Sequence, residues 1–230
     1  MLPNGWPIWQ DSNEFKFTLD AVLLAAFPLL RDCLQIVELG SGCGAVSLLL
    51  AARSSAKIVG IDINTTVNEL FKRSIELNKL SEQVSVVTAD IRALKGQFVH
   101  GAYDLVVSNP PYRKVGQGRL RKSGAQTACH EVTATTDDFI QAAKFLLKYK
   151  GKFVLVHLAE RLPEILTQCV ASGLEPKRLQ LVHAKQDRQA NLFLLETIKG
   201  GNSGLEVLPP LIVYDNEGNY TKEVLQRYNI

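Results

Sequence analysis

Apolar positions along this chain gather into short runs that alternate with stretches of helical period. The runs at residues 34–39, 57–63, 83–88, 103–108, 151–157, 178–183 and 191–198 predict strands. Between them, apolar residues spaced three and four apart predict helices over 45–53, 65–80, 136–148 and 161–172, with another starting at Asp20. Regular alternation of this kind calls for parallel strands joined by right-handed crossovers. The predicted fold is α/β, a Rossmann-like, doubly wound, seven-stranded sheet. Only residues 184–190 separate the last two runs, too few for a crossover helix, so these pair as an antiparallel edge hairpin. One domain spans residues 1–230, with an N-terminal segment 1–30, a core sheet 31–198 and a tail 199–230.

Composition narrows this picture without deciding it. A hydrophobic fraction of 46% and a charged fraction of 21% suit a globular domain with one sizeable core. The longest apolar run, from Ala21 to Leu30, is broken by Pro28 and reaches about half the ~18 residues of a membrane span. The N-terminus does not read as a signal peptide, and the four cysteines form no CxxC pair, so a reducing cytoplasmic setting is expected. His100, His157 and His183 show no metal-ligand spacing, and no metal is expected. A net charge of +3 permits nucleic-acid binding without announcing it.

The first chemical signal is Glu38-Leu39-Gly40-Ser41-Gly42-Cys43-Gly44, which leaves a strand and opens a helix. Gly40, Gly42 and Gly44 let the backbone turn tightly and approach a ligand, while the helix N-terminus presents free N–H groups. Asp62, about 20 residues on at the end of the second strand, is placed to accept both hydroxyls of a ribose. The pattern also fits a dinucleotide loop, so NAD stands as an alternative, and so does a tight turn with no ligand. Two features favour S-adenosylmethionine. Glu38 precedes the turn, where it neutralises a cationic amino-bearing ligand. Asp90-Ile91 follows the third strand, where the carboxylate accepts from adenine N6 and Ile91 packs on the ring.

The second signal is Asn109-Pro110-Pro111-Tyr112, directly off the fourth strand. Consecutive prolines fix φ and remove two donors, leaving rigidly directed carbonyls. The Asn109 side-chain oxygen and the Pro110 carbonyl then accept both hydrogens of one planar amino group. Tyr112 supplies a flat face for a base. The combination predicts methylation of an exocyclic amino group, with Asn109, Pro110 and Tyr112 as the catalytic residues.

These residues resemble the class I methyltransferases that modify amino groups, and most closely the bacterial tRNA1(Val) adenine-37 N6-methyltransferase family. The resemblance runs over nearly the whole chain, from Phe15-Lys16-Phe17-Thr18-Leu19-Asp20 through the two motifs to Glu175-Pro176-Lys177-Arg178. It implies N6-methylation of an adenine in tRNA, in an anticodon loop, with S-adenosyl-L-methionine as cofactor. It also implies an N-terminal segment that closes over the methionine end, giving Phe17, Thr18 or Asp20 a binding role. The plain alternative is that Thr18 or Asp20 starts a helix. Ala128-Cys129-His130-Glu131 departs from the family, which often carries Arg before the His-Glu pair.

Between residues 113 and 130 lie Arg113, Lys114, Arg119, Arg121 and Lys122, with no acidic residue. These are the candidate RNA contacts, because they follow the proposed active-site strand. A second group (Lys177, Arg178, Lys185 and Arg188) is the competing surface. The rival activities are a release-factor-type glutamine methyltransferase, which shares the Asn-Pro-Pro-Tyr logic, and a non-catalytic RNA-binding module of the same fold.

Overall fold

The computed structural model describes residues 1–10, 17–112 and 134–228. Helix α1 spans Leu19–Ala26, and Ala21 to Ala25 are all buried, as an apolar run with no polar face requires. Strand β1 (Gln35–Leu39) leads to α2 (Ala45–Arg53), β2 (Lys57–Asp62) to α3 (Thr65–Leu77), and β3 (Val84–Thr88) to a 3-10 turn at Ile91–Ala93. Then come β4 (Tyr103–Ser108), α4 (Thr136–Leu146), β5 (Leu147–Leu158), α5 (Leu162–Ala171), β6 (Leu174–His183) and β7 (Ala190–Lys199). The tail adds β8 (Glu206–Val207), β9 (Leu211–Ile212) and α6 (Lys222–Tyr228).

The strand order is β3-β2-β1-β4-β5-β7-β6-β8, with β9 also on β6. β1 to β5 pair in parallel, and β7 runs antiparallel between β5 and β6. The hairpin of the sequence reading is present, but among the described residues the sheet has nine strands, not seven. β8 and β9 pair in parallel with β6, so the hairpin is not the outermost element. Two residues each, they are too short to show a period. They pair because the tail is pinned to the core by Leu211, Val213 and Val224.

Two apolar cores cover the two faces of the sheet. One joins α1, α2 and Phe71 of α3 to Ile36, Leu105, Val107, Val154 and Val156. The other joins α4 and α5 to Val37, Leu39, Val106, Phe153, Leu155 and Phe193. Alternate residues of β1, β4 and β5 therefore face opposite ways, each strand buried on both sides. This leaves the carboxyl ends of β1, β2, β4 and β5 at one edge, where open α/β sheets bind ligands. Residues 1–10 return along the fold. Leu2 enters the first core, Trp9 N donates to Ser74 Oγ (2.9 Å), and Asn78 donates to the Pro7 carbonyl (2.8 Å).

Candidate active site

Gly40, Gly42 and Gly44 adopt φ of +69°, +50° and +82°, conformations that other residues rarely accept. The turn is built from within: Gly40 N and Ser41 N donate to the Ile61 carbonyl, and Gly44 N to that of Ser41. At Gly44 a Cβ would lie 2.1 Å from the Phe71 ring, so close packing of α3 also requires glycine there. At Gly42 a Cβ would meet nothing within 4 Å, so this face of the loop is open to a ligand.

Glu38 is buried one residue before the turn. Its Oε2 accepts from Ser47 N (2.9 Å) and Ser47 Oγ (2.5 Å), satisfying the first turn of α2, whose N-cap Gly44 has no side chain. Burial outweighs these bonds and pushes the carboxyl up to about 8, with the Asp62 charge adding to the rise. The free fold therefore holds a largely protonated Glu38 at neutral pH.

Asp62 does more than end β2. Its Oδ2 accepts from Gly42 N (2.8 Å) and its Oδ1 from Asn64 N (2.9 Å), tying the glycine loop to the start of α3. The carboxylate is thus pre-positioned, and each oxygen retains a lone pair. Ile63 beside it is 56% exposed, an apolar side chain left at the ligand edge. The sequence reading placed Ile63 inside the strand, where an apolar residue carries no sign of its exposure.

Asp90 stands in a different setting from the one expected. It caps the 3-10 turn after β3, and its carboxylate takes a bidentate pair from Arg92, with Nε at 2.9 Å and Nη2 at 2.6 Å. Hydrogen bonding from Arg92 holds its carboxyl below the usual carboxylate range. An adenine amino group would share Asp90 with this guanidinium. Ile91 beside it is buried among the α4-side core.

The Asn109 turn leaves β4 next to the glycine loop. Ser108 lies opposite Leu39 in the parallel β1–β4 pair, and its Oγ donates to the Leu39 carbonyl at 3.0 Å. Asn109 is half-buried, and its side chain makes no hydrogen bond to any described residue. Pro110 is buried and Pro111 exposed. Tyr112 donates its hydroxyl to Asp20 Oδ2 at 2.6 Å, and its ring packs against His157 with centroids 5.3 Å apart. Burial and the Asp20 charge raise the phenol pKa, so the hydroxyl stays protonated.

Asp20 therefore touches the Asn-Pro-Pro-Tyr motif. Thr18 occupies the N-cap position of α1 without a side-chain capping bond, and Phe17 packs on the first core. Gln10 from the N-terminal segment donates to Cys43 Sγ at 3.3 Å, bringing that segment to the glycine loop. Sequence reasoning assigned no chemistry to His157, because only the tertiary fold brings it to Tyr112.

Arg113, Lys114, Arg119, Arg121 and Lys122 lie outside the described residues, as do Phe15 and Lys16. The competing cation group is not one surface. Arg178 pairs with Glu196 (3.3 Å) and stacks over Phe27, while Lys177 binds the Asn202 carbonyl. Only Lys185 and Arg188 are exposed, on the β6–β7 turn.

The family model "Methyltransferase small domain" matches residues 20–172. A tRNA1(Val) (adenine(37)-N6)-methyltransferase of Bacteroides fragilis is 28% identical over 178 residues, covering 77% of this chain and 75% of its own. A protein of the same name from Aeromonas hydrophila is 26% identical over 218 residues, covering 94% and 89%. A crystal structure from Agrobacterium tumefaciens, titled a predicted O-methyltransferase, aligns with a TM-score of 0.74 at 24% identity over 91% of this chain and 96% of its own, which shows the fold. The chain belongs to the methyltransferase small-domain family.

Proposed function

We propose that this protein methylates the exocyclic amino group of an adenine in a tRNA anticodon loop, using S-adenosyl-L-methionine. The observation that carries this reading is the adjacency of the two motifs. The glycine loop and Asn109 leave neighbouring parallel strands at the same register, latched by the Ser108–Leu39 bond. A cofactor on the first is then held beside an amino group on the second. The relatives' names supply the substrate class, since they are tRNA adenine N6-methyltransferases.

The residues present fit the cofactor. The open face at Gly42 admits it, Asp62 would take its ribose hydroxyls, Ile63 and Ile91 would flank the adenine, and Asp90 would take N6. Glu38 would meet the cationic amino group, with Thr18 and Asp20 contributing from the N-terminal side. When bound, the cofactor supplies an electrophilic methyl on a sulfonium. Asn109 Oδ1 and the Pro110 carbonyl accept the two hydrogens of the target amino group, which frees its lone pair for attack. No base is required before transfer, because the nitrogen becomes acidic only as the new bond forms. Catalysis here is positioning and electrostatics. Mass spectrometry of nucleosides from tRNA incubated with the enzyme and labelled cofactor tests the function. Labelled N6-methyladenosine is expected, and its absence overturns the reading.

Glu38 gives this site a proton signature. Its folded pKa lies above that of the unfolded chain, so its contribution to stability of the free fold is present at low pH. That contribution is lost as pH rises from the ordinary carboxyl range to about 8. A cationic partner favours the carboxylate. Binding of the cofactor at pH 6.5, where its amino group is already charged, should release about one proton. Calorimetry in buffers of different ionisation enthalpy reads this directly, and Glu38→Gln should abolish the dependence. A buffer-independent enthalpy for the wild type would remove Glu38 from the cofactor site.

RNA contact is assigned to Arg113, Lys114, Arg119, Arg121 and Lys122. Each phosphate neutralised releases condensed counterion, so tRNA affinity should fall steeply with salt. Replacing Arg119, Arg121 and Lys122 with Ala should weaken tRNA binding and flatten that slope, leaving cofactor binding alone. An unchanged slope moves the RNA surface towards Lys185 and Arg188.

A further inference from the structure

His157 is a buried group that the mechanism above does not use. In the parallel β4–β5 pair Ser108 lies opposite Leu155, so His157, two residues further along β5, stands beside the Asn109–Tyr112 turn. Its ring is fixed between two others, with Tyr112 at 5.3 Å and an interplanar angle of 57°, and Phe193 at 6.5 Å and 27°. The residue is fully buried, yet its Nε2 meets no hydrogen-bond partner among the described residues. Nδ1 accepts from Leu158 N at 2.8 Å, which places the proton of a neutral ring on Nε2. Burial, reinforced by Arg161 and opposed by Glu164, pushes the imidazolium down to about 4, so the ring is neutral in the working range.

Folds seldom bury a donor with nothing to accept it, and such a group needs an explanation. Around the carboxyl edge several polar groups are committed, Asp20 to Tyr112, Asp62 to Gly42 and Asn64, and Ser108 to Leu39, while Ser41 Oγ of the glycine loop and the Asn109 side chain share with His157 the lack of a partner among the described residues. The idle donor sits against the aromatic ring proposed to hold the base. Adenine offers only acceptors at its ring nitrogens, and two of them, N1 and N7, flank the amino group assigned to Asn109. Guanine carries a hydrogen at N1 but shares the N7 acceptor, so a donor facing N1, unlike one facing N7, also discriminates between the purines.

We propose that His157 Nε2–H donates a hydrogen bond to N1 or N7 of the target adenine, making His157 a base-binding residue of this site. The proposal rests on the adenine N6 reading. It predicts that wild-type enzyme methylates an adenosine-bearing RNA stem-loop roughly tenfold or more faster, by kcat/KM, than His157→Phe does. Phenylalanine keeps the ring packing and removes the donor, and His157→Gln, which restores one, should recover part of the loss. The deciding measurement places 1-deaza- or 7-deaza-adenosine at the target position. One of these RNAs should cost the wild type the same factor, while costing His157→Phe nothing further. Cofactor calorimetry should be unchanged in both variants, while thermal melting should fall in His157→Phe, which also removes the acceptor of Leu158 N. Full activity of His157→Phe, or losses that multiply instead of saturating, would overturn the role of His157 alone. Absence of N6-methyladenosine from the wild-type reaction would overturn the adenine reading with it.

Discussion

Asn109→Ala should lower turnover by ~100-fold or more, as expected for loss of a contact made to the reacting group in the transition state. Cofactor affinity should stay within about threefold of wild type, because Asn109 is assigned to the target amino group. The structure makes this separation clean. The Asn109 side chain bonds to no described residue, so removing it leaves the fold's own hydrogen bonds intact. The turn is held instead by Ser108 Oγ on the Leu39 carbonyl and by Tyr112 on Asp20. Single-turnover rates with saturating tRNA, set beside cofactor titration by calorimetry, provide the check. If binding and turnover fell in equal proportion, Asn109 would belong to the cofactor site and the amino-group role would be wrong.

Asp62→Ala should weaken cofactor binding by roughly 1.5–3 kcal/mol, about 10- to 150-fold in Kd, from loss of a charge-assisted acceptor. The geometry adds a second cost. Gly42 N and Asn64 N both donate to this carboxylate, so the alanine variant leaves two backbone donors without their partner and loosens the loop. Thermal stability should therefore drop as well, by about 1–3 kcal/mol. Asp62→Asn separates the two effects. One amide oxygen can still accept from a single backbone N–H, so it should recover part of the stability and less of the affinity. Unaltered cofactor affinity in Asp62→Ala would place the ribose elsewhere.

Both predictions begin from motifs legible in the chain alone. A strand running into three glycines and then a helix needs no tertiary information to be read, because backbone conformation at Gly40, Gly42 and Gly44 is a local property. Asn109-Pro110-Pro111-Tyr112 is legible for the same reason: prolines fix their own φ. Alternation of strand and helix patterns was sufficient for the parallel half of the sheet, since β1, β4 and the second half of β5 are buried on both faces and read as mostly apolar runs.

What the chain could not display were meetings of residues far apart in sequence. Tyr112 reaches Asp20 across 92 positions, and no periodicity encodes that bond. Asp90 looked free for adenine, but Arg92 two residues on folds back onto it, which depends on the 3-10 turn. His157 read as one more residue of a buried strand. Its idle Nε2 exists only because β5 lies beside β4 and brings the ring to Tyr112. The strand count went the same way. β8 is two exposed residues with no strand pattern, and the β-prone run Leu211-Ile212-Val213-Tyr214 lies in what the sequence reads as the tail. Both strands pair with β6, where Leu211, Val213 and Val224 are buried in the core. The sequence by itself determined the local turns and the alternating strands and helices, because these follow from short-range sterics and burial period. Only the tertiary structure decided which polar groups are already spent on one another and which remain for a ligand, because that depends on contacts between distant segments.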